Sequence, residues 1–220
     1  MMILTASSKT DWVQRRRIVF FAPLLAIFMM AGQIAHADTR LDEATQLVEE
    51  LVAEVQGARQ NGMLSAEEKE ALFSRVITDY FDVDGITRFT AGRYRRAANE
   101  TERQEYSELF VDVLISMASS QFEQLATLEF TPTATEARGK KLILVRGIIH
   151  DRSGQQPDAA IAWRVASVDN TPPRIIDIEI ENISMLKTQQ DENTAIIRRN
   201  GGKFSALIEQ LRKQLNNLSS

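Results

Sequence analysis

The spacing of apolar residues changes from a helical period to an alternating one near residue 128, and this change constrains the fold more than any other feature. Upstream, apolar residues recur at steps of three and four, as on one face of an α-helix. Between about 129 and 183, apolar and polar residues alternate, which is typical of β-strands, and helical spacing returns from about 187. Helices, then strands, then helices predict an α+β domain in which several helices pack on a twisted antiparallel sheet.

The predicted helices carry start signals. Ser65 with Glu68, and Thr101 with Gln104, match the capping box, in which two residues at a helix N-terminus bond each other's backbone. Asp82 is predicted to be the N-cap of a short helix that ends near Gly92. The other helices are expected at about 39–58, from Ser65 to about Tyr80, and at about 101–127, 187–199 and 203–217.

About four strands are predicted, and turn residues separate them. Gly139, Ser153-Gly154-Gln155 and Asn170-Thr171-Pro172-Pro173 mark short connections, which imply an antiparallel meander. Residues 142–149 are apolar on both faces, so that strand is expected to be central and covered twice. The strands are expected at 129–137, 140–150, 159–168 and 174–183.

The last predicted strand alternates between isoleucines and acidic residues. Since successive strand side chains point to opposite faces of a sheet, the two sets are expected on opposite faces. We interpret the acidic set as a solvated outer face in preference to a cation site. The apolar set is Ile176, Ile178 and Ile180, and the acidic set is Asp177, Glu179 and Glu181.

Residues 1–37 are predicted to be a secretory signal peptide. An apolar run of 14 residues from Ile18 to Ala31 follows Arg15-Arg16-Arg17 and precedes Ala35-His36-Ala37. A basic flank, a short apolar run and a small-x-small site are the parts of such a peptide. A membrane-spanning helix needs about 20 apolar residues, which leaves an uncleaved anchor as the weaker alternative. Cleavage is expected after Ala37, which leaves residues 38–220 as a single domain outside the cytoplasm.

The composition of residues 38–220 excludes several classes of protein. They carry 22 basic and 29 acidic residues, a net charge of about −7, which argues against nucleic-acid binding and against a basic membrane-surface protein. They contain no cysteine and one histidine, His150, which rules out disulfides and a zinc site built from His and Cys. No cofactor and no metal are predicted.

Residues that could support catalysis are few. Catalysis needs a nucleophile, a base or a metal placed with partners, and no phosphate loop, nucleophile elbow or HExxH motif occurs. His150 is interpreted as a surface or turn residue. The enzymatic alternative is a cone-shaped pocket like that of the NTF2-like isomerases, in which Tyr106 or His150 would be the ionisable group.

Four local strings, in this order and spacing, resemble the MlaC family, also called the toluene-tolerance family. The resemblance covers about residues 40–215, essentially the whole domain. The strings are Phe81-Asp82 with Arg88 and Gly92-Arg93-Tyr94-Arg95; Gln104 to Phe110; Ile176 to Met185; and Asn200-Gly201-Gly202-Lys203-Phe204 with Leu207, Ile208 and Leu211.

The chain departs from the family pattern at three places. Tyr94 stands where the family usually has tryptophan, and Asn182 stands where glycine is usual. Gln189 and Gln190 occupy the places of a common Tyr-Arg pair, so any contact which that pair makes to a headgroup or a partner is not carried over.

The resemblance implies a monomeric, non-enzymatic carrier with an apolar lipid pocket between the sheet and the helices. Family members carry phospholipid through the periplasm between an outer-membrane lipoprotein complex and an inner-membrane ABC transporter, which maintains the asymmetry of the outer membrane. Each methylene costs about 0.8 kcal/mol to expose to water, so a carrier must enclose the acyl chains. The Gln189-Gln190 departure leaves open a related carrier for another lipid, such as a hopanoid or a sterol-like lipid.

The expected lining of the pocket comes from the long helix and the sheet. In the alternative, the protein is a ligand-free periplasmic adaptor, and the same residues fill an ordinary apolar core. Arg93, Arg95 and Arg96 form the nearest basic cluster, with a role at the pocket rim or in partner docking. The expected lining residues are Val113, Leu114, Met117, Leu142, Leu144, Ile161, Trp163, Ile178 and Ile180.

Overall fold

The computed structural model describes residues 23–60, 62–168 and 171–218, with side chains from Thr39 onward except at Gln60. The predicted signal peptide and its cleavage after Ala37 fall outside the residues whose side chains are described, so they stay predictions. Within the described residues, no helix combines the length and the apolar character that a membrane span requires.

The order of elements is helices, then a sheet, then helices, as the change of period predicts. The helices are α1 (Pro23–Gln60), α2 (Ala66–Tyr80), α3 (Val83–Thr90), a 3₁₀ turn (Gly92–Arg96), α4 (Glu100–Ser120), α5 (Phe122–Leu125), α6 (Met185–Arg199) and α7 (Ser205–Leu218). The strands are β1 (Leu128–Arg138), β2 (Leu142–Asp151), β3 (Ala159–Ala166), β4 (Arg174–Ile180) and β5 (Ile183–Ser184).

Two of the three predicted helix starts are confirmed. Ser65 and Glu68 form the reciprocal capping box of α2, and the Asp82 carboxylate accepts a hydrogen bond from the Gly85 amide at 2.9 Å. The start predicted at Thr101 is wrong. Asn99 caps α4 and pairs with Glu102, since asparagine is a stronger N-cap than threonine and both bonds of its box form at 2.9 Å.

The five strands form one antiparallel meander in the order β1-β2-β3-β4-β5. The prediction of a single last strand over 174–183 is wrong in one respect. Glu181 and Asn182 have φ values of 51° and 64°, and positive φ at both central residues makes a tight hairpin turn. The chain therefore folds back, and β5 pairs with the end of β4.

The two faces of the sheet have different environments. The inner face carries Ile143 and Val145 of β2, which lie opposite Val165 and Trp163 of β3, and all four are buried. It packs on α1, α2 and α5, and these residues form the first apolar cluster. The outer face carries the other set of alternating side chains, including Leu144, so β2 is apolar on both faces as predicted, although β3 is the middle strand.

The predicted faces of the last strand need a correction. The pairing of β3 with β4 shifts between Val165 and Arg164, which places Ile175 on the inner face and buries it completely. Asp177 is only 5% exposed and is not part of a solvated face. Ile180, at the far end of the strand, is 40% exposed.

A second apolar cluster joins α4, α6 and α7. Tyr106 and Phe110 of α4 pack there with Ile197 of α6 and with Leu207 and Ile208 of α7. The helix α4 therefore contributes side chains to both clusters, because its Ile115 and Ala118 pack on the first one.

Candidate lipid-binding site

The structure brings only part of the predicted lining together. Ile161, Trp163 and Ile178 lie on the inner face and pack in or against the first cluster, and Ile180 lies on the same face at its exposed end. Leu142 and Leu144 lie on the outer face, since they pair in register with Ala166 and Arg164.

The three residues predicted from α4 lie in another place. Val113, Leu114 and Met117 belong to or pack on the second cluster, and the Met117 sulfur accepts a hydrogen bond from the Gln214 amide at 3.4 Å. The α4 residues that pack on the first cluster, which joins the inner face of the sheet to α1, α2 and α5, are Ile115 and Ala118. Helical spacing showed an apolar stripe on α4, but a helix buried on two sides has two such stripes.

Trp163 is the largest side chain at the centre of the inner face. It lies between Val145 and Ile178 on the neighbouring strands and is 6% exposed. The ring of Phe130 meets it edge to face, with 6.2 Å between the ring centroids. Such an arrangement is favourable between aromatic rings and fixes the orientation of the indole.

Gly147 makes room for Phe130. A Cβ atom at position 147 would lie 2.2 Å from a ring carbon of Phe130 and 2.4 Å from the backbone oxygen of Thr131. No side chain larger than hydrogen fits this position unless β1 moves. The glycine therefore lets the aromatic ring of an edge strand lie across β2 toward Trp163.

Three buried side-chain atoms have no hydrogen-bond partner in the described part of the chain. They are Nε1 of Trp163 on the inner face, Nε of Arg164 on the outer face and Oγ of Ser119, which follows Ala118 on α4. Nearly all buried polar groups in proteins are paired, and an unpaired one costs about 1–3 kcal/mol. An apolar interface with an unused N–H donor and an unused hydroxyl suits a molecule with long apolar chains and a few polar acceptor atoms.

The outer face of the sheet carries several ion pairs. Glu136 accepts hydrogen bonds from the guanidinium groups of Arg146 and Arg138, each at 2.9 Å, and these bonds hold the pKa of its carboxyl below the usual value. The Arg164 guanidinium lies 3.2 Å from Glu179 and 3.6 Å from Asp177. The outer face therefore combines ion pairs with buried apolar residues such as Leu144, whereas the inner face is apolar.

Tyr106 and His150, the two candidate ionisable residues, each form structural contacts in a different part of the molecule. The Tyr106 hydroxyl lies 2.7 Å from the Thr90 hydroxyl and accepts a hydrogen bond from the Asn193 amide at 3.0 Å. Burial raises the pKa of Tyr106 far above its usual value, so the phenol stays neutral. His150 is half exposed at the end of β2, with its Nδ1 atom 2.7 Å from Asp158.

Gln189 and Gln190, which replace the family's Tyr-Arg pair, both form side-chain hydrogen bonds. The Gln189 amide donates to the Asn193 side-chain oxygen at 3.0 Å, and the Gln190 amide donates to the carbonyl of Phe89 at 2.7 Å. Asn193 also donates to the Thr90 carbonyl at 3.1 Å. Gln190 therefore links α6 to α3 directly, whereas Gln189 bonds within α6 to Asn193, which forms the second link to α3.

These features define an α+β protein whose helices cover one apolar face of a five-stranded antiparallel sheet. The sequence profile of the MlaC protein family matches residues 45–213, so the chain belongs to the MlaC family. The resemblance drawn from the four strings is confirmed. The family consists of phospholipid-binding proteins that act as carriers and not as enzymes, which answers the alternative of a pocket enzyme.

A solved structure supports the fold. The chain is similar to a phospholipid-binding protein from Ralstonia solanacearum, which was solved in complex with a phospholipid. The TM-score is 0.67 at 18% sequence identity, and the match covers 81% of this chain and 98% of the other. The predicted α+β fold is confirmed. Among curated proteins, none matches this chain in sequence.

Proposed function

We propose that this protein carries phospholipid through the periplasm, between an outer-membrane lipoprotein complex and an inner-membrane ABC transporter, and so helps to maintain outer-membrane asymmetry. The family and the predicted signal peptide support this role. A lipid with on the order of 30 methylenes would cost roughly 24 kcal/mol to expose fully to water, so unassisted crossing is slow. A diffusing monomer that covers the chains removes this barrier.

The acyl chains would lie between the inner face of the sheet and the helices that cover it. Of the residues first expected to line the pocket, Ile161, Trp163, Ile178 and Ile180 fit this placement. From α4 the contribution would come from Ile115 and Ala118, because these residues pack on the first cluster while Val113, Leu114 and Met117 pack on the second. Entry of the chains would require the helical layer to separate from the sheet.

The observation that carries the proposal is the unpaired Nε1–H of Trp163 in an otherwise apolar interface. An ester carbonyl of a glycerolipid is a suitable acceptor for it, and the Ser119 hydroxyl offers a second donor from α4. With its esters bonded inside, the lipid would leave its headgroup toward solvent. Such a carrier would recognise diacyl lipids by their chains and esters more than by their headgroups.

Fluorescence quenching tests where the chains lie. Trp163 is the single tryptophan of residues 38–220, since the other tryptophan of the chain is Trp12. Phosphatidylcholine with brominated acyl chains is expected to quench its emission on binding, because bromine quenches only at close range. Equal binding of the brominated lipid with unchanged emission would place the chains elsewhere and contradict this site.

Replacement of Trp163 by phenylalanine tests the role of the N–H group. The variant keeps an aromatic ring but loses the donor, and its affinity for phospholipid is expected to fall about fivefold to tenfold, the value of one hydrogen bond. Lipid binding would be measured by extraction and mass spectrometry after equilibration with vesicles.

Phe110→Leu is the matched control, because Phe110 is an equally buried aromatic residue of the second cluster. This control is expected to lower stability and leave lipid affinity unchanged. If Trp163→Phe binds lipid as tightly as the parent, or if both variants lose lipid equally, the assigned hydrogen bond is wrong.

A further inference from the structure

A polar cavity lies on the helical side of the molecule, apart from the inner face of the sheet. Its volume is about 340 Å³, and it opens between α3, the 3₁₀ turn, the start of α4 and Phe204. Ala91, Tyr106 and Phe204, all buried members of the second cluster, form part of its lining. None of its lining residues belongs to the first cluster, so this cavity is separate from the proposed site for acyl chains.

Three arginines line the cavity. Arg103 is already engaged, since its Nε donates to the carbonyl of Arg95 at 3.1 Å and its guanidinium lies 3.3 Å from the Glu100 carboxylate. The guanidinium groups of Arg88 and Arg95 form no ion pair and no hydrogen bond within the described residues. Asp84 is the other carboxylate of the lining, and it pairs with neither of them.

The charge of this region contrasts with that of the whole chain. The full sequence has a net charge of −4, yet the ionisable groups of the cavity lining sum to one positive charge. Three guanidinium groups around one concave site raise the local concentration of anions. Of the three arginines, Arg88 and Arg95 are the two whose guanidinium groups are left for an anion, since neither is paired within the described residues.

The number of donors and the volume indicate the chemical class of the ligand. One guanidinium already satisfies both oxygens of a carboxylate with its planar fork, whereas a phosphate has enough oxygens for several arginines. A volume of about 340 Å³ falls at the lower end of the 300–1,000 Å³ typical of small-molecule sites, which leaves room for a substituent beside the phosphate. Asp84 could receive an ammonium group on that substituent.

We propose that this cavity binds one phosphate group that bears a short polar substituent, with the guanidinium groups of Arg88 and Arg95 on its oxygens. The ligand has the size and chemistry of a phospholipid headgroup without its chains. Two sources share this chemistry, namely a headgroup at a membrane surface and a soluble phosphate compound. The proposal does not depend on lipid transport, so either can fail while the other stands.

Calorimetric titration of the purified protein at low ionic strength tests the site, with inorganic phosphate and phosphoethanolamine as probes. Both are expected to bind, and added salt is expected to weaken binding, since the contacts are ionic and partly exposed. Tighter binding of phosphoethanolamine than of phosphate would support a substituted phosphate as the ligand, whereas tighter binding of inorganic phosphate would contradict it. Additional binding to phosphatidylethanolamine vesicles would indicate a headgroup at a membrane surface as the source, and binding to the soluble probes alone would indicate a soluble phosphate compound.

Arg88→Gln combined with Arg95→Gln is expected to weaken binding of both probes by about tenfold or more, since each loses a charge-assisted bond. Arg198→Gln combined with Arg199→Gln, an equal change of charge on exposed residues of α6, is the matched control and is expected to leave binding unchanged. If the first pair does not fold, Arg88→Gln alone, at an exposed position, serves the same purpose.

Three further results would overturn the proposal. One is the absence of binding of either probe at millimolar concentrations. Another is unchanged affinity in the Arg88 and Arg95 variants. The third is an equal loss of affinity in the control pair, which would show attraction to the overall charge and not to a site.

Discussion

Replacement of Asp177 by alanine is expected to destabilise the protein by about 3 kcal/mol, because this carboxylate is a buried acceptor with several donors. It accepts hydrogen bonds from the Ser184 hydroxyl at 2.6 Å, from the Ile178 amide at 2.8 Å and from the Leu186 amide at 2.9 Å. It also lies 3.6 Å from the Arg164 guanidinium. The substitution leaves two backbone donors unpaired where β4, β5 and α6 meet. Denaturant unfolding of the lipid-free protein measures the loss.

Two comparison variants separate the contributions of Asp177. Asp177→Asn keeps one acceptor oxygen but loses the charge, and it is expected to cost about half as much. Asp191→Ala removes an exposed carboxylate of α6 whose one ion pair among the described residues is with Lys187, and it is expected to cost at most about 0.5 kcal/mol. If Asp177→Ala also lowers the free energy of unfolding by at most about 0.5 kcal/mol, Asp177 does not hold α6 against the sheet.

Gly147→Ala is expected to destabilise the protein by about 1–3 kcal/mol and to reduce its phospholipid content. The new methyl group would lie 2.2 Å from the ring of Phe130 and 2.4 Å from the backbone oxygen of Thr131, so strand β1 must move. Overpacking of this kind carries a cost in that range. Since Phe130 packs edge to face on Trp163, the shift would also alter the surface proposed to receive the acyl chains. Chemical denaturation and quantified lipid extraction give the two readouts.

Gly57→Ala is the matched control for this substitution. Gly57 lies within α1, and nothing lies within 4 Å of a Cβ atom placed there. Alanine is favoured over glycine in a helix by up to about 1 kcal/mol, so the control is expected to gain stability and keep its lipid. If Gly147→Ala is as stable as the parent and retains its lipid, then β1 does not need the close approach at Gly147.

The sequence predicted the fold class well because local periods are set by secondary structure. The change from helical to alternating spacing located the sheet within a few residues, and Ser65 and Asp82 located two helix starts through contacts within one turn. The start of α4 was missed because two capping patterns overlap there, from Asn99 and from Thr101. The stronger N-cap formed the box.

The course of the last strand could not be predicted from its alternation. Ile175 and Ile176 are adjacent and equally apolar, so a shift by one residue leaves the local pattern intact while it reverses the faces. The partners that bury Asp177 come from Ser184 and Leu186, after a turn that local spacing did not show. Asn182 was the one signal for this turn, since asparagine tolerates positive φ better than most residues.

The candidate site was predicted only in part, because burial alone does not say which surface a residue meets. The helix α4 is apolar on two sides, and only the tertiary structure shows that Ile115 and Ala118 pack on the first cluster while Val113 and Met117 pack on the second. The unpaired Nε1 of Trp163 is a further property of the folded state. The sequence placed this tryptophan in mid-strand, but it did not show that its donor lacks a partner.

Native mass spectrometry of the protein purified from a periplasmic extract without detergent tests the central claim most directly. Lipid carriage predicts a mass excess of one two-chain phospholipid, with that lipid recovered by extraction. A hopanoid-like mass would keep the carrier but change its cargo. A bare protein mass that stays bare after incubation with phospholipid vesicles would contradict lipid carriage and indicate a ligand-free adaptor.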